Sequence, residues 1–233
     1  MTSISYVERR IKIEDYFDRT AVEAWTRLTS DAPVNRIRAT VRAGRDEMRR
    51  TLLSWLPADL GSRRLLDAGC GTGSFAVEAA QRGAEVIAVD LSPTLIALAR
   101  SRASSGRGRG SLAFFAGDML SPAHGDFDHV VAMDSLIHYG TEDAVDAIAG
   151  LASRTRHSLL FTFAPRTPAL AAMHAVGRLF PRGNRAPAIE PISEQAISRL
   201  LGGEPKLRGW KTGRSRRVQN GFYTSQALEL VRS

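Results

Sequence analysis

The chain has 233 residues, 43% hydrophobic and 24% charged, which is the balance of a soluble globular protein long enough to bury one large core. No apolar run approaches the roughly 18–20 residues of a membrane span. The first residues lack the apolar stretch of a signal peptide, and a single cysteine, Cys70, excludes an internal disulfide. The formal net charge is +8, and of the 32 basic residues only Lys12, Lys206 and Lys211 are lysines. The arginines are scattered, with no block of five or six. That gives weak support to a nucleic-acid footprint and leaves two readings of the charge: an acidic substrate or membrane as partner, or arginines that simply solvate the surface.

In chain order, residues 1–56 read as an amphipathic helical arm. Ile13, Tyr16, Phe17, Val22, Trp25 and Leu28 recur near helical spacing, and Ile37, Val41, Met48, Leu52 and Leu53 continue the pattern. Pro57 and Gly61 then break it, so residues 57–233 are read as a second unit. Strand-like runs follow at 64–67, 85–90, 112–116, 128–134 and 157–163. Helical patterns at about 73–82, 93–103 and 142–154 lie between them. Such alternation predicts βαβ units and a mostly parallel sheet covered on both faces, an α/β fold. After the fifth strand, residues 166–192 carry prolines, apolar side chains and arginines, and are expected to form a lid or long loop. A helix at about 193–201 and two strands, 206–212 and 222–231, close the chain, with "GRSRRVQNG" expected as the hairpin connection.

The most informative stretch is "LLDAGCGTGSFAVEAA", residues 65–80. An apolar strand runs into Asp67, then Gly69, Gly71 and Gly73 alternate with Cys70 and Thr72, and a helix begins. Glycines between a strand and a helix let a ligand approach the backbone at a helix N-terminus. A phosphate-binding P-loop is excluded because no Gly-Lys-Ser/Thr follows. The dinucleotide fingerprint needs a third glycine where Ser74 stands. An acid directly before the turn suits a cation better than a pyrophosphate.

The run resembles the first motif of class I S-adenosylmethionine (SAM)-dependent methyltransferases. That resemblance implies a Rossmann-like seven-stranded sheet, mostly parallel with an antiparallel last strand. It also implies a cofactor site built from Asp67, Gly69, Cys70, Gly71 and Gly73. Asp90 and Leu91, ending the second strand, are expected at the ribose and adenine. Asp118 and Met119, ending the third, are expected at the adenine amino group and ring. Met133, on the fourth strand, is expected at the crevice where the methyl group moves. For Cys70, the residue pattern shows no triad or metal-ligand spacing; it is read as a small residue that fits the turn.

Three longer stretches carry a more specific resemblance: residues 7–56, "MDSLIHY", and "FTFAPRTPALAAMHAVGRLFPRGNRAPAI". Over nearly its full length the chain is similar to the magnesium-protoporphyrin IX O-methyltransferases of chlorophyll and bacteriochlorophyll synthesis. The resemblance implies methyl transfer from SAM to one propionate carboxylate of magnesium-protoporphyrin IX, giving the monomethyl ester and S-adenosylhomocysteine. It also associates His138 and a tyrosine of the arm with catalysis, Tyr16 being the candidate and Tyr6 the other tyrosine there.

The residues suit such a substrate. A large flat apolar ring with two carboxylates needs apolar walls and a few fixed cations. Phe17, Trp25 and Met173 are candidate walls. Arg166, Arg178, Arg182 and Arg185 are candidate carboxylate ligands. A propionate is already ionised at pH 7 and needs no general base, so His138 is read as an orienting donor, an axial ligand to the substrate's magnesium, or a packing residue. The competing reading is methylation of a quinone or phenol precursor, with His138 as general base. No histidine cluster has metal-ligand spacing, so magnesium is expected only as part of the substrate. The family context makes room for hand-over from the large subunit of the magnesium chelatase and for peripheral contact with the photosynthetic membrane. The sequence establishes neither, and the protein is placed in the cytoplasm.

Overall fold

The structure, a computed structural model, describes residues 4–20, 29, 35–103, 109–166 and 189–233. Seven strands form one sheet: β1 (Arg64–Ala68), β2 (Glu85–Asp90), β3 (Ser111–Ala116), β4 (Phe127–Ala132), β5 (Thr155–Phe163), β6 (Trp210–Asn220) and β7 (Tyr223–Arg232). Their order is β3-β2-β1-β4-β5-β7-β6. The first five pair in parallel, and β7 runs antiparallel to both β5 and β6. Chain order reverses between β1 and β4, so a crevice opens at their carboxyl ends, where open α/β sheets hold ligands.

Among the described residues the α-helices are α1 (Ile4–Asp15), α2 (Arg36–Trp55), α3 (Ser74–Gln81), α4 (Pro93–Ala103), α5 (Thr141–Ala152) and α6 (Glu194–Gly203). The central strands β1 and β4 are covered on both faces: four of the five residues of β1 and all six of β4 are buried. Neighbours along each strand serve opposite cores. Leu66, Val130 and Leu159 pack in a core with Ile148 and Leu151 of α5. Leu65, Val131 and Leu160 pack in the other with Met48, Leu52 and Leu53 of α2 and Phe75 of α3. Each of these leucines or valines contributes about 1.5–3 kcal/mol by leaving water.

Two local features differ from the sequence reading. The final hairpin does not turn across "GRSRRVQNG": residues 213–220 lie within β6, and the connection is the two-residue turn Gly221–Phe222. Gly221 takes φ +53, at the position where a tight hairpin turn requires glycine. The run reads as loop because β6 is an edge strand whose outward side is charged, a device that blocks further strand pairing. Residues 205–207 form a single 3₁₀ turn rather than the start of a strand. Of the lid at 166–192, only Arg166 and residues 189–192 lie within the described residues. Ile192 returns beside the end of β5, its N–H donating to the Ala164 carbonyl at 2.9 Å.

Candidate active site

The glycine turn is shaped by its backbone. Gly69, Gly71 and Gly73 take φ of +82, +53 and +79, a left-handed conformation that side chains disfavour. They serve different ends. A Cβ on Gly69 would fall on Ser135, and one on Gly73 would meet the Phe114 ring at 2.8 Å. Gly69 thus lets the turn approach the end of β4, whereas Gly73 lets α3 seat against the sheet. Gly69 and Cys70 donate their N–H groups to the Val89 carbonyl at 2.8 and 3.0 Å. Gly71 donates its own to Oδ2 of Asp90 at 2.8 Å, and Ser92 donates its N–H to Oδ1 at 3.0 Å.

Asp67 lies beneath this turn, 2% exposed, and its Oδ2 has no hydrogen-bond partner. Burial, reinforced by the charge of Asp90, pushes its carboxyl up to about 7. Burial raises Asp90 as well. Asp67 Oδ2 and the Ser135 hydroxyl are buried without partners, and with Asp90 they make a site of negative charge that no cation among the described residues pairs. SAM carries an ammonium and a sulfonium, so the residues present fit it.

The arm closes over Asp118 at the end of β3. Asp118 Oδ1 accepts from the Tyr6 hydroxyl at 3.0 Å and the Leu120 N–H at 2.8 Å, and Oδ2 accepts from Arg10 at 2.7 Å. Tyr6 is 2% exposed and stacks on Tyr139 with centroids 4.8 Å apart; burial raises its phenol strongly. One π-helical turn, Tyr16–Thr20, follows α1. Asp18 within it accepts from Ser92 Oγ at 2.9 Å and from the Thr94 N–H at 3.0 Å, capping α4 from outside.

At the end of β4, Asp134 takes φ +55. Its carboxylate accepts from Arg45, from the Tyr223 and Ser225 hydroxyls and from Thr162. The chain then makes a 3₁₀ turn, Leu136–His138. His138 is 7% exposed and its ring lies 5.8 Å from that of Phe17, which Tyr16 meets edge-on at 5.2 Å.

These elements enclose a cavity of about 390 Å³. It runs from Leu91, Asp118 and Met119 at one end, past Gly69, Gly71, Asp90 and Met133, to the hairpin tip. Tyr16, Phe17 and His138 line it too. Among the residues singled out from sequence, Asp67, Cys70, Gly73 and Arg166 do not line it; Asp67 stays buried beneath the turn whose glycines do. Gly73 is spent on helix packing. The Cys70 thiol is pushed well up by burial and by the charges of Asp67 and Asp90, which makes it a poor nucleophile. Arg166 is exposed on the returning strand end. Trp25, Met173, Arg178, Arg182 and Arg185 lie outside the described residues.

Sequence reasoning missed the wall formed by Arg38, Val41 and Arg45 of α2 with Phe222, Tyr223 and Ser225 of the hairpin. The i, i+3, i+7 spacing of the α2 residues was the available signal. Among the described residues no group of His, Cys, Asp or Glu could hold a metal ion, and no helix is long and apolar enough to cross a membrane.

Residues 132–232 match the family model for the magnesium-protoporphyrin IX methyltransferase C-terminus, and residues 65–158 match a general methyltransferase domain. The chain is 47% identical to magnesium-protoporphyrin O-methyltransferase of Rhodobacter capsulatus over 225 residues, covering 96% of this chain and 97% of that protein. It superposes with a TM-score of 0.84 on the crystal structure of magnesium protoporphyrin IX methyltransferase from Synechocystis PCC 6803 with bound SAH, at 32% identity, covering 96% of this chain and 100% of that one. A ubiquinone biosynthesis O-methyltransferase of Xanthomonas oryzae pv. oryzae is 32% identical, but over only 54% of this chain.

Proposed function

The chain belongs to the magnesium-protoporphyrin O-methyltransferase family, and we propose on that premise how its cavity performs the reaction. It transfers a methyl group from SAM to one propionate carboxylate of magnesium-protoporphyrin IX, giving the monomethyl ester and S-adenosylhomocysteine. The observation that carries this reading is the continuity of the cavity. It joins a buried, acid-lined glycine turn to an apolar mouth edged by Arg38 and Arg45.

SAM, when bound, supplies an electrophilic methyl on a sulfonium. Everything else falls to the chain. Asp67 and Asp90 supply the negative charge that a cationic cofactor needs, and Asp90 faces the ribose. Leu91 and Met119 pack beside the adenine. An ionised propionate is nucleophilic as it stands, so the protein's task is alignment and exclusion of water. His138, buried at the mouth of β4, orients the attacking carboxylate through a ring N–H. Tyr16 closes over it from the arm, its phenol raised by burial and therefore protonated and able to donate. Tyr6 has a different task, since its hydroxyl is committed to Asp118. A phenolic acceptor is disfavoured because the ubiquinone-type similarity covers only about half of the chain.

So apolar a substrate is met at a surface, either the membrane edge or the chelatase subunit that makes it. The exposed stripe Ile4, Val7 and Ile11 on α1 supports such a contact. The test of the activity is an assay with SAM, offering magnesium-protoporphyrin IX and metal-free protoporphyrin IX separately. Monomethyl ester from the magnesium form, with much less from the free base, is the expected result. No ester from either, with SAM still bound, overturns the reading.

A further inference from the structure

We propose that Arg38 binds the second, non-reacting propionate of the porphyrin, and so decides which carboxylate is left unmethylated. The inference rests on the porphyrin reading above and names the specificity element of that same site.

Arg38 lines the cavity from the first turn of α2. Its side chain is exposed, and among the described residues it forms no ion pair or side-chain hydrogen bond. This separates it from Arg45, two turns further along the same face, which is tied to Asp134 at 2.7 Å. Arg45's charge is compensated within the protein, whereas Arg38 lines the cavity with no compensating acid among the described residues.

The placement of Arg38 also runs against helix electrostatics. The first turn of α2 contains no acid, although the helix N-terminus favours anions and disfavours cations. Asn35 already caps the end, its Oδ1 accepting the Arg38 N–H at 2.9 Å. Capping is thus satisfied without Arg38's side chain, and helix stability gives no reason for a guanidinium there. An anion held at that point gains from both the side chain and the helix end.

The surroundings specify the rest of the ligand. Beside Arg38 the wall is Val41 and the half-exposed ring of Phe222, held at the hairpin tip by an N–H to Thr40 Oγ1 at 3.3 Å. A cation bordered by an aliphatic and an aromatic face suits a carboxylate on the edge of a flat apolar ring. Seven helical residues separate Arg38 from Arg45, roughly 10 Å along the axis, and Arg45 reaches Asp134 next to Ser135 and the glycine turn. Arg38 is therefore too far from the transferring methyl to hold the reacting carboxylate. The two propionates of a protoporphyrin leave neighbouring pyrroles on one edge of the ring, so the other can reach it.

The experiment is an absorbance titration of wild type and Arg38→Ala, both with S-adenosylhomocysteine bound, using three ligands. These are magnesium-protoporphyrin IX, its monomethyl ester product and its dimethyl ester. Charge-assisted hydrogen bonds of this kind are worth a Kd change of about tenfold or more. Arg38→Ala is expected to weaken the diacid and the monoester to that extent and equally, and to leave the diester unchanged. Arg38→Lys, which keeps charge but not the planar fork, falls between. S-adenosylhomocysteine affinity is unchanged in both variants, which checks that they fold. Indifference of the monoester would mean that Arg38 reads the reacting carboxylate. Equal weakening of all three ligands would mean apolar packing only, and no weakening would mean no contact; each of these outcomes overturns the proposal. Failure of the wild-type protein to methylate the porphyrin is a separate result and overturns the functional reading instead.

Discussion

The guanidinium of Arg45 in α2 lies 2.7 Å from Oδ2 of Asp134 at the end of β4. This pair joins α2 to the end of β4, at the cavity wall. Asp134 holds more than Arg45: Tyr223, Ser225 and Thr162 also donate to it. Its carboxylate is saturated by the protein, so it organises the cavity wall and takes no part in proton transfer. Its φ of +55 is one that Asn tolerates and Ala does not. Asp134→Ala leaves the partly buried Arg45 without this partner and three hydroxyls without this acceptor, a loss of about 3–5 kcal/mol. At about 2–4 °C per kcal/mol for a chain of this size, its melting temperature should fall by about 10 °C, with Asp134→Asn falling less. A melt of Asp134→Ala within 1 °C of wild type would contradict the clamp.

Gly44 faces Tyr223 so closely that any Cβ would collide with the ring. Alanine is normally favoured over glycine inside a helix by about 1 kcal/mol. Here the sign reverses, because the overlap costs about 1–3 kcal/mol and displaces the tyrosine that donates to Asp134. Gly44→Ala is expected to lower both the melting temperature and kcat/KM. A rise in melting temperature would show that α2 and the hairpin are not in this contact.

Much of the fold was legible because its signals are local. The unbroken apolar strands, the glycine turn and the helices between them follow from burial on both faces of a parallel sheet. Asp67, Asp90 and Asp118 were legible because each ends a strand and the crevice collects strand ends. The substrate wall was not. Arg38 and Arg45 belong to an arm helix whose sequence does not say which face it turns to the sheet. That orientation is set by Gly44 against Tyr223, a contact 179 residues apart in the chain. The arginine run in β6 misled for the opposite reason: an edge strand is charged on its open side, and charge in sequence reads as loop.

His138 separates two mechanisms. As an orienting donor to an ionised carboxylate it is replaceable by another donor. His138→Gln should then keep kcat within about tenfold of wild type, and His138→Ala should lose more. A general base would make both variants lose about 10²–10⁴-fold, with a limb near the histidine pKa in the wild-type profile. The measurement is kcat at saturating SAM from pH 6 to 9 for the three proteins.

Arg10 and Tyr6 hold the arm to Asp118, the acid expected at the adenine. The arm therefore covers the residue expected at the adenine, and cofactor release is expected to require this latch to open. The ion pair is partly exposed, 31% for Arg10 and 20% for Asp118, so its strength is modest and screened by salt. Arg10→Ala is expected to speed S-adenosylhomocysteine release severalfold in stopped-flow displacement, and salt to speed release from wild type but not from the variant. Equal salt effects on both would remove the latch from the exit route.

Asp67 makes cofactor binding depend on pH. Its carboxyl is raised to about 7 by burial and by Asp90, well above its unfolded value near 4. The folded protein without cofactor thus holds a proton that the unfolded chain releases. The stability this contributes is full below pH 4 and is lost as pH rises through 7. A cationic cofactor has the opposite preference, since it needs the carboxylate ionised. Binding of SAM below pH 7 must therefore expel the proton, and affinity should rise about tenfold per unit up to about pH 7 and level off above it. Calorimetry at pH 6 in two buffers of different ionisation enthalpy should register close to one proton released, against almost none at pH 8.5. Asp67→Asn should bind more weakly and lose both the pH dependence and the proton release. If Asp67→Asn keeps the wild-type pH dependence, the titrating group lies elsewhere, and Asp90, raised by the same burial, is the residue to substitute next.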